Sequence, residues 1–155
     1  MRQRTETLTV QTRGAGLYEI TDRVVGWLRQ VDITTGILTV FVQHTSASLL
    51  CQENADPEVQ RDLERFFRRL IPDGDPLFRH VAEGPDDMPA HVKAALTATS
   101  LTLPIQAGRL ALGTWQGLFL YEHRRHPHRR RILLHAIGEG ATGSDMESSP
   151  ARSTG

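Results

Sequence analysis

The sequence predicts an α+β fold, a largely antiparallel β-sheet or sandwich with two to three packed helices. Three observations carry that expectation. Polar and apolar residues alternate over 5–12, and over 37–44 Leu38, Val40, Val42 and His44 recur at the two-residue period of a strand. Segments of helical period lie in between and beyond, with cap and breaker residues at their ends. From Ser100 to Ile137, short apolar runs follow one another with turn residues between them, as antiparallel strands do. At 155 residues, 39% hydrophobic and 23% charged, the chain has the length and composition of one domain with its own core.

The first strand, 5–12, sets Leu8 and Val10 on one side, and Gly14 and Gly16 turn the chain. Leu17 to Ile20 then lead into a helix with Thr21 as its N-cap and Val24, Val25 and Leu28 on one face. Thr34-Thr35-Gly36 is a turn before the strand 37–44, in which Leu38, Val40, Val42 and His44 share a face. Residues 47–52 read as a further strand. Asp56-Pro57-Glu58 starts a helix for a stated reason: Asp56 can cap, Pro57 fits the first helical position, and Glu58 complements the dipole. Val59, Leu63, Phe66, Phe67 and Leu70 follow at helical spacing, and Pro72 to Pro76 ends the helix.

Residues 72–88 form the longest irregular stretch, and such loops in small domains tend to be functional. Asp87 or Met88 opens a short helix with His91 in its first turn. Strands follow at 100–105, 109–112, 118–122 and 132–137. Residues 140–155, rich in Gly, Ser and Thr, read as a disordered tail, which leaves 1–139 as the single domain.

Charge and targeting signals narrow the function classes. The formal net charge is zero, which argues against a whole-molecule role on nucleic acid or membrane. The N-terminus lacks the apolar core of a signal peptide, and no apolar run is long enough to span a bilayer. The one cysteine, Cys51, excludes an internal disulfide and reads as an inert packing residue, so the expected compartment is the cytoplasm. The run 123–131 holds five arginines and three histidines, but it falls between two strands and reads as a solvated hairpin tip.

Three histidines occupy informative places: His44 at a strand end, His80 in the long loop, His91 at a helix start. Neutral imidazole is a standard ligand for zinc and related metals, and three protein ligands leave a position open for water or substrate. Their spacing matches no compact metal motif. Glu53 follows an apolar run, Asp56 has its capping role, and Glu122 ends a strand. Trp115-Gln116 lies between Gly113 and Gly117, and Gln116 offers both a donor and an acceptor. Lys93 is the only lysine.

His44-Thr45-Ser46, Glu53 to Asp56 with Pro57, Arg79-His80, Ala90-His91-Val92-Lys93, Leu112 to Gly117, Glu122 and Ile137-Gly138-Glu139 occur in this order. With them the chain resembles the YjbQ-like family, often labelled secondary thiamine-phosphate synthase, over roughly residues 5–139. The resemblance implies an α+β fold, a homotrimer and a pocket holding the three histidines; the imidazoles themselves suggest that the pocket takes a divalent metal, zinc or magnesium. It also implies a weak thiamine-phosphate synthase activity, in which a pyrimidine-methyl diphosphate joins a thiazole phosphate and pyrophosphate leaves. On that reading His44, His80 and His91 hold the metal, and Arg79 and Lys93 supply positive charge to a small phosphorylated substrate. Thr114, Trp115 and Gln116 line the substrate, with Trp115 stacked on a ring, and Glu53, Asp56 and Glu122 are the catalytic carboxylates. One departure stands out: Asp86-Asp87-Met88-Pro89 replaces the asparagine-rich stretch of many relatives. Two other classes fit the residues: a metal-dependent hydrolase with Glu53 as base, or a non-catalytic binder of small anions or of RNA through 123–131.

Overall fold

The computed structural model describes residues 1–141. Its elements in chain order are β1 (Arg2–Gln11), β2 (Gly16–Glu19), α1 (Thr21–Leu28), β3 (Thr35–Val42), β4 (Ala47–Glu53) and α2 (Pro57–Leu70). There follow α3 (Asp87–Leu96), β5 (Ser100–Gln106), β6 (Arg109–Leu110), β7 (Gln116–Glu122) and β8 (Arg129–Glu139). Five strands form one sheet in the order β1-β8-β3-β5-β6, and three form a second in the order β2-β7-β4. Every pairing is antiparallel. The expected α+β class is the observed one.

Alternation explains how the sheets meet. Leu38, Val40 and Val42 of β3, with Ile132, Leu134 and Ala136 of β8, project from one face of the larger sheet. They join Ala47 and Leu49 of β4, Leu118 and Leu120 of β7, and Val24 and Leu28 of α1 in a single buried cluster. Each such side chain removed from water contributes about 1.5–3 kcal/mol, so this shared layer holds the two sheets together. Gly36 and Gly138 face each other across β3 and β8, and a Cβ on Gly36 would stand 2.1 Å from the Ile137 carbonyl oxygen. Only glycine permits that approach.

Several boundaries differ from expectation. Residues 16–19 are a strand rather than a lead-in, because Leu17 and Tyr18 pair with Tyr121 and Leu120; four residues are too few for periodicity to show. Thr21 is the first helical residue rather than the cap; its hydroxyl donates to Glu19 Oε2 at 2.8 Å and accepts from the Leu118 amide at 2.9 Å. β3 begins inside the expected turn and ends at Val42, leaving His44 beyond the strand. The 123–131 run is not a solvated tip: β8 takes up its last three residues, and His123, Arg124 and Arg130 point inward.

Asp56 caps α2 as expected, its Oδ1 accepting from the Glu58 amide at 3.0 Å with Pro57 in the first turn. No residue of α2 is buried; the helix is held to the three-stranded sheet partly by Phe67, edge-on to Tyr121 at 6.0 Å between centroids. No helix among the described residues is long and apolar enough to cross a membrane. Of the expected tail, residues 142–155 lie outside the described residues. Replacing Asp56 with Ala should lower unfolding free energy by about 1 kcal/mol in a urea titration, the usual worth of an N-cap, and leave any turnover intact.

Candidate functional site: a histidine–aspartate trio

The start of α3 assembles the site. Asp87 and His91 stand four residues apart, on one face of the helix. The long loop returns His80 to the same point. Asp87 Oδ2 lies 2.7 Å from His80 Nε2 and 3.0 Å from His91 Nε2. These three ligand atoms all lie within 4.8 Å of one another. Asp87 is almost fully buried, whereas His91 is half-buried and His80 exposed, so the group has a floor and an open side.

His91 carries the chemical information. Its Nδ1 is 2.9 Å from the Thr45 carbonyl oxygen, which can only accept, so Nδ1 bears the proton. In the neutral ring Nε2 is then a lone pair facing a carboxylate. That arrangement is repulsive unless the ring is protonated or a cation lies between them.

Arg124 anchors the aspartates. Its Nε donates to Asp86 Oδ2 at 3.0 Å, one terminal nitrogen to Asp87 Oδ1 at 2.8 Å, and the other to the Glu83 carbonyl at 3.0 Å. Burial pushes the Asp87 carboxyl up, but the His80 bond and the charges of His91 and Arg124 outweigh it and hold it below the usual range. Asp86 behaves alike: burial raises it, and the Arg125 amide and Arg124 bring it down further.

Two residues before Arg124, Glu122 is wholly enclosed. Thr12 Oγ1 donates to it at 2.7 Å, Arg130 Nε at 2.9 Å, and the His123 and Arg124 amides at 3.1 and 3.3 Å. Arg130 reaches on to the Ser46 hydroxyl at 2.9 Å. A carboxylate so saturated and sealed from solvent braces the fold and has no free lone pair to offer a substrate, which corrects its expected catalytic role.

Residues 6–139 match the family described as "UPF0047 protein YjbQ-like". The chain belongs to this family. A UPF0047 protein of Synechocystis is 50% identical over 138 residues, covering 89% of this chain and 94% of the relative. The YjbQ protein of Escherichia coli O157:H7 is 44% identical over 135 residues, 86% and 97% of the two chains. Among solved structures, a hypothetical protein of Aeropyrum pernix superposes with a TM-score of 0.81 at 33% identity, covering 88% of this chain and 99% of the other.

The YjbQ-like motif residues do not all meet within one chain. His44 Nε2 accepts from the Arg131 amide at 2.8 Å, and burial together with Arg130 and Arg131 lowers its pKa, so it stays neutral. With β3 finished two residues earlier, the ring is turned toward β8. Asp87, not His44, therefore completes the trio with His80 and His91. Glu53 and Asp56 are both engaged by local main chain: Glu53 Oε2 accepts from the Asp56 amide at 3.2 Å, and the Asp56 carboxylate caps α2. They sit at the opposite end of β4 from Thr45, about 20 Å of strand away. Gln116 pairs with Glu53 there, accepting from the Gly113 amide at 2.8 Å, beside exposed Thr114 and Trp115, the latter 63% exposed.

Arg79 is exposed next to the trio, while Lys93 is buried and lines a different cleft. Cys51 is half-buried and burial raises its thiol pKa, in keeping with an inert role. Asp87 and Arg124 escaped the sequence reading. The available signal was the adjacent pair Asp86-Asp87 at a helix start, two carboxylates that need a cation when buried.

Glu122→Gln and Arg130→Met should each cost about 3–5 kcal/mol in denaturant unfolding, because each leaves the other charge buried and unpaired. Stability should also respond to His123. Burial, Lys93 and Arg130 push its pKa down to about 3, whereas the unfolded ring titrates near 6.5. The unfolded chain thus binds a proton that the native state refuses. The His123 contribution is complete above about pH 6.5 and is lost as pH falls toward 3, by about 1.4 kcal/mol per unit. Unfolding curves across that range should flatten in His123→Gln.

Proposed function

We propose that this protein is a metal-dependent enzyme acting on a small phosphorylated metabolite, with its reaction centre at His80, Asp87 and His91. The observation behind the reading is the His91 ring held between two acceptors, with a second imidazole on the same carboxylate oxygen. Two nitrogens and one oxygen suit zinc better than magnesium, which prefers an oxygen shell. The Thr45 carbonyl and Arg124 are the outer partners that would orient His91 and Asp87. A divalent ion held there would polarise a phosphoryl oxygen or acidify a water.

His80 also borders a cavity of about 300 Å³ walled by Pro76, Phe78, Val81 and Met88. Its size suits an uncharged ring, and Arg79 at the loop offers charge to phosphate. The family resemblance makes the condensation of a pyrimidine-methyl diphosphate with a thiazole phosphate the first reaction to assay. A cytoplasmic homotrimer goes with it, and Ile37 and Phe41, 43% and 41% exposed on the outer face of the larger sheet, give a surface for self-association.

Hydrolysis of one phosphorylated compound is the second reading, and one observation favours it. Trp115 and Gln116 lie at the far end of the three-stranded sheet from the trio. A two-substrate condensation that uses them draws them from a neighbouring subunit, whereas hydrolysis needs only the trio and its cavity. The RNA reading is weakened by the internal ion pairs that occupy Arg124 and Arg130.

Protein purified without a histidine tag should bind zinc stoichiometrically; His80→Ala and His91→Ala should lose it and His44→Ala should keep it. Equal zinc content in all four proteins refutes the centre. Pyrophosphate release that requires both precursors identifies the synthase, and phosphate release from one compound alone identifies the hydrolase.

A further inference from the structure

β1 is an edge strand of 10 residues, paired on one side only, with β8. Its register runs unbroken from Arg2 to Gln11, and the Thr12 amide carries the ladder on, donating to the His128 carbonyl at 2.8 Å. Main-chain groups alternate between the two sides of a strand, so the even-numbered residues bond to β8. Gln3, Thr5, Thr7 and Thr9 turn their amides and carbonyls outward.

Two side-chain contacts mark that outer edge. The Thr7 amide donates to Glu6 Oε1 at 3.0 Å, and the Thr9 carbonyl accepts from Arg23 at 2.8 Å. Arg2 to Thr7 are all exposed. An edge of this length, with neither proline nor bulge to blunt it, is a template for another strand.

The charges on the edge select the partner. Arg2 pairs with Asp32 and the N-terminal amine with Glu139, whereas Arg4 and Glu6 have no ion pair among the described residues. They stand two residues apart on the same face of the strand. We propose that β1 pairs antiparallel with β1 of a second copy of this chain, about a two-fold axis at Thr5.

The main chain requires odd-numbered residues to face odd-numbered ones, which leaves few registers. With the axis at Thr5, Gln3 faces Thr7, and Arg4 faces Glu6 of the other copy twice over. Those charged pairs fall in the closer, non-hydrogen-bonded class, with Cα atoms about 4.5 Å apart. Opposite charges there favour pairing and like charges oppose it. An axis at Arg4 or at Glu6 sets that residue against itself, and one at Gln3 sets Arg4 against Arg2. An axis at Thr7 puts both charges opposite apolar Val10 and Leu8. In the favoured register Glu6 exchanges the Thr7 amide for Arg4, and the freed amide bonds to the Gln3 carbonyl. Two larger sheets become one continuous sheet, through an edge that includes no residue of the proposed metal centre and leaves Ile37 and Phe41 uncovered.

Sedimentation at low salt, where exposed charges are least screened, should give an even number of subunits for the unmodified protein. Arg4→Glu and Glu6→Arg each set like charges opposite one another, so each should halve the assembly's mass. An equimolar mixture of the two variants should restore it, since each then offers what the other lacks. The double exchange in one chain should restore it too. Thr5→Pro removes an outward amide that the isolated subunit does not use, and should halve the mass with an unchanged circular dichroism spectrum. An odd-numbered assembly of the unmodified protein overturns the pairing. So do single variants of undiminished mass, or a mixture that stays at half mass. Should a charge variant fail to fold, the unmodified protein and Thr5→Pro decide.

Discussion

The paired charges of Glu122 and Arg130 are the constraint from which much of the molecule follows. Glu122 ends a strand of the smaller sheet and Arg130 lies in a strand of the larger one. Their contact, with Thr12 and Ser46 joined to it, closes one end of the sandwich. Inside a low-dielectric layer neither charge is tolerable alone, so the two sheets are obliged to meet in one register. Arg124 then leaves the chain at a fixed place, two residues beyond Glu122, and meets Asp86 and Asp87. The geometry of the histidine–aspartate trio is therefore inherited from a contact between sheets rather than built by the loop that carries His80.

Much of the fold was legible because its signals are local. The Asp56-Pro57-Glu58 cap, the alternation of β3 and the apolar runs of β7 and β8 each sit within a dozen residues of chain. What escaped depends on partners far off in sequence. β2 exists because β7 is beside it, and four residues carry no periodicity of their own. The run 123–131 looks solvated in the sequence because arginine usually is; Arg124 and Arg130 turn inward because buried carboxylates await them.

The site divides in the same way. His80 and His91 were visible as imidazoles at a loop and a helix start, and the structure brings them together. The strand-end position of His44 suggests it as the third partner, whereas Asp87 is the residue that stands beside the two imidazoles. A carboxylate at a helix start has a ready explanation in the dipole, which hid its other office. Glu53, Asp56, Trp115 and Gln116 belong to the opposite end of the three-stranded sheet. Strand length alone separates the two groups, and no side-chain rearrangement within one chain could unite them.

α2 is amphipathic yet contributes no fully buried residue. Its attachment is shallow compared with the interior shared by the sheets, so the free energy needed to lift it is a small part of the whole. The helix can peel away and reseat while the sandwich stays shut, and its amides should exchange with solvent deuterium well before those of β3 and β8. The cleft beneath it, which holds Lys93, would then be refreshed from outside without the protein ever unfolding.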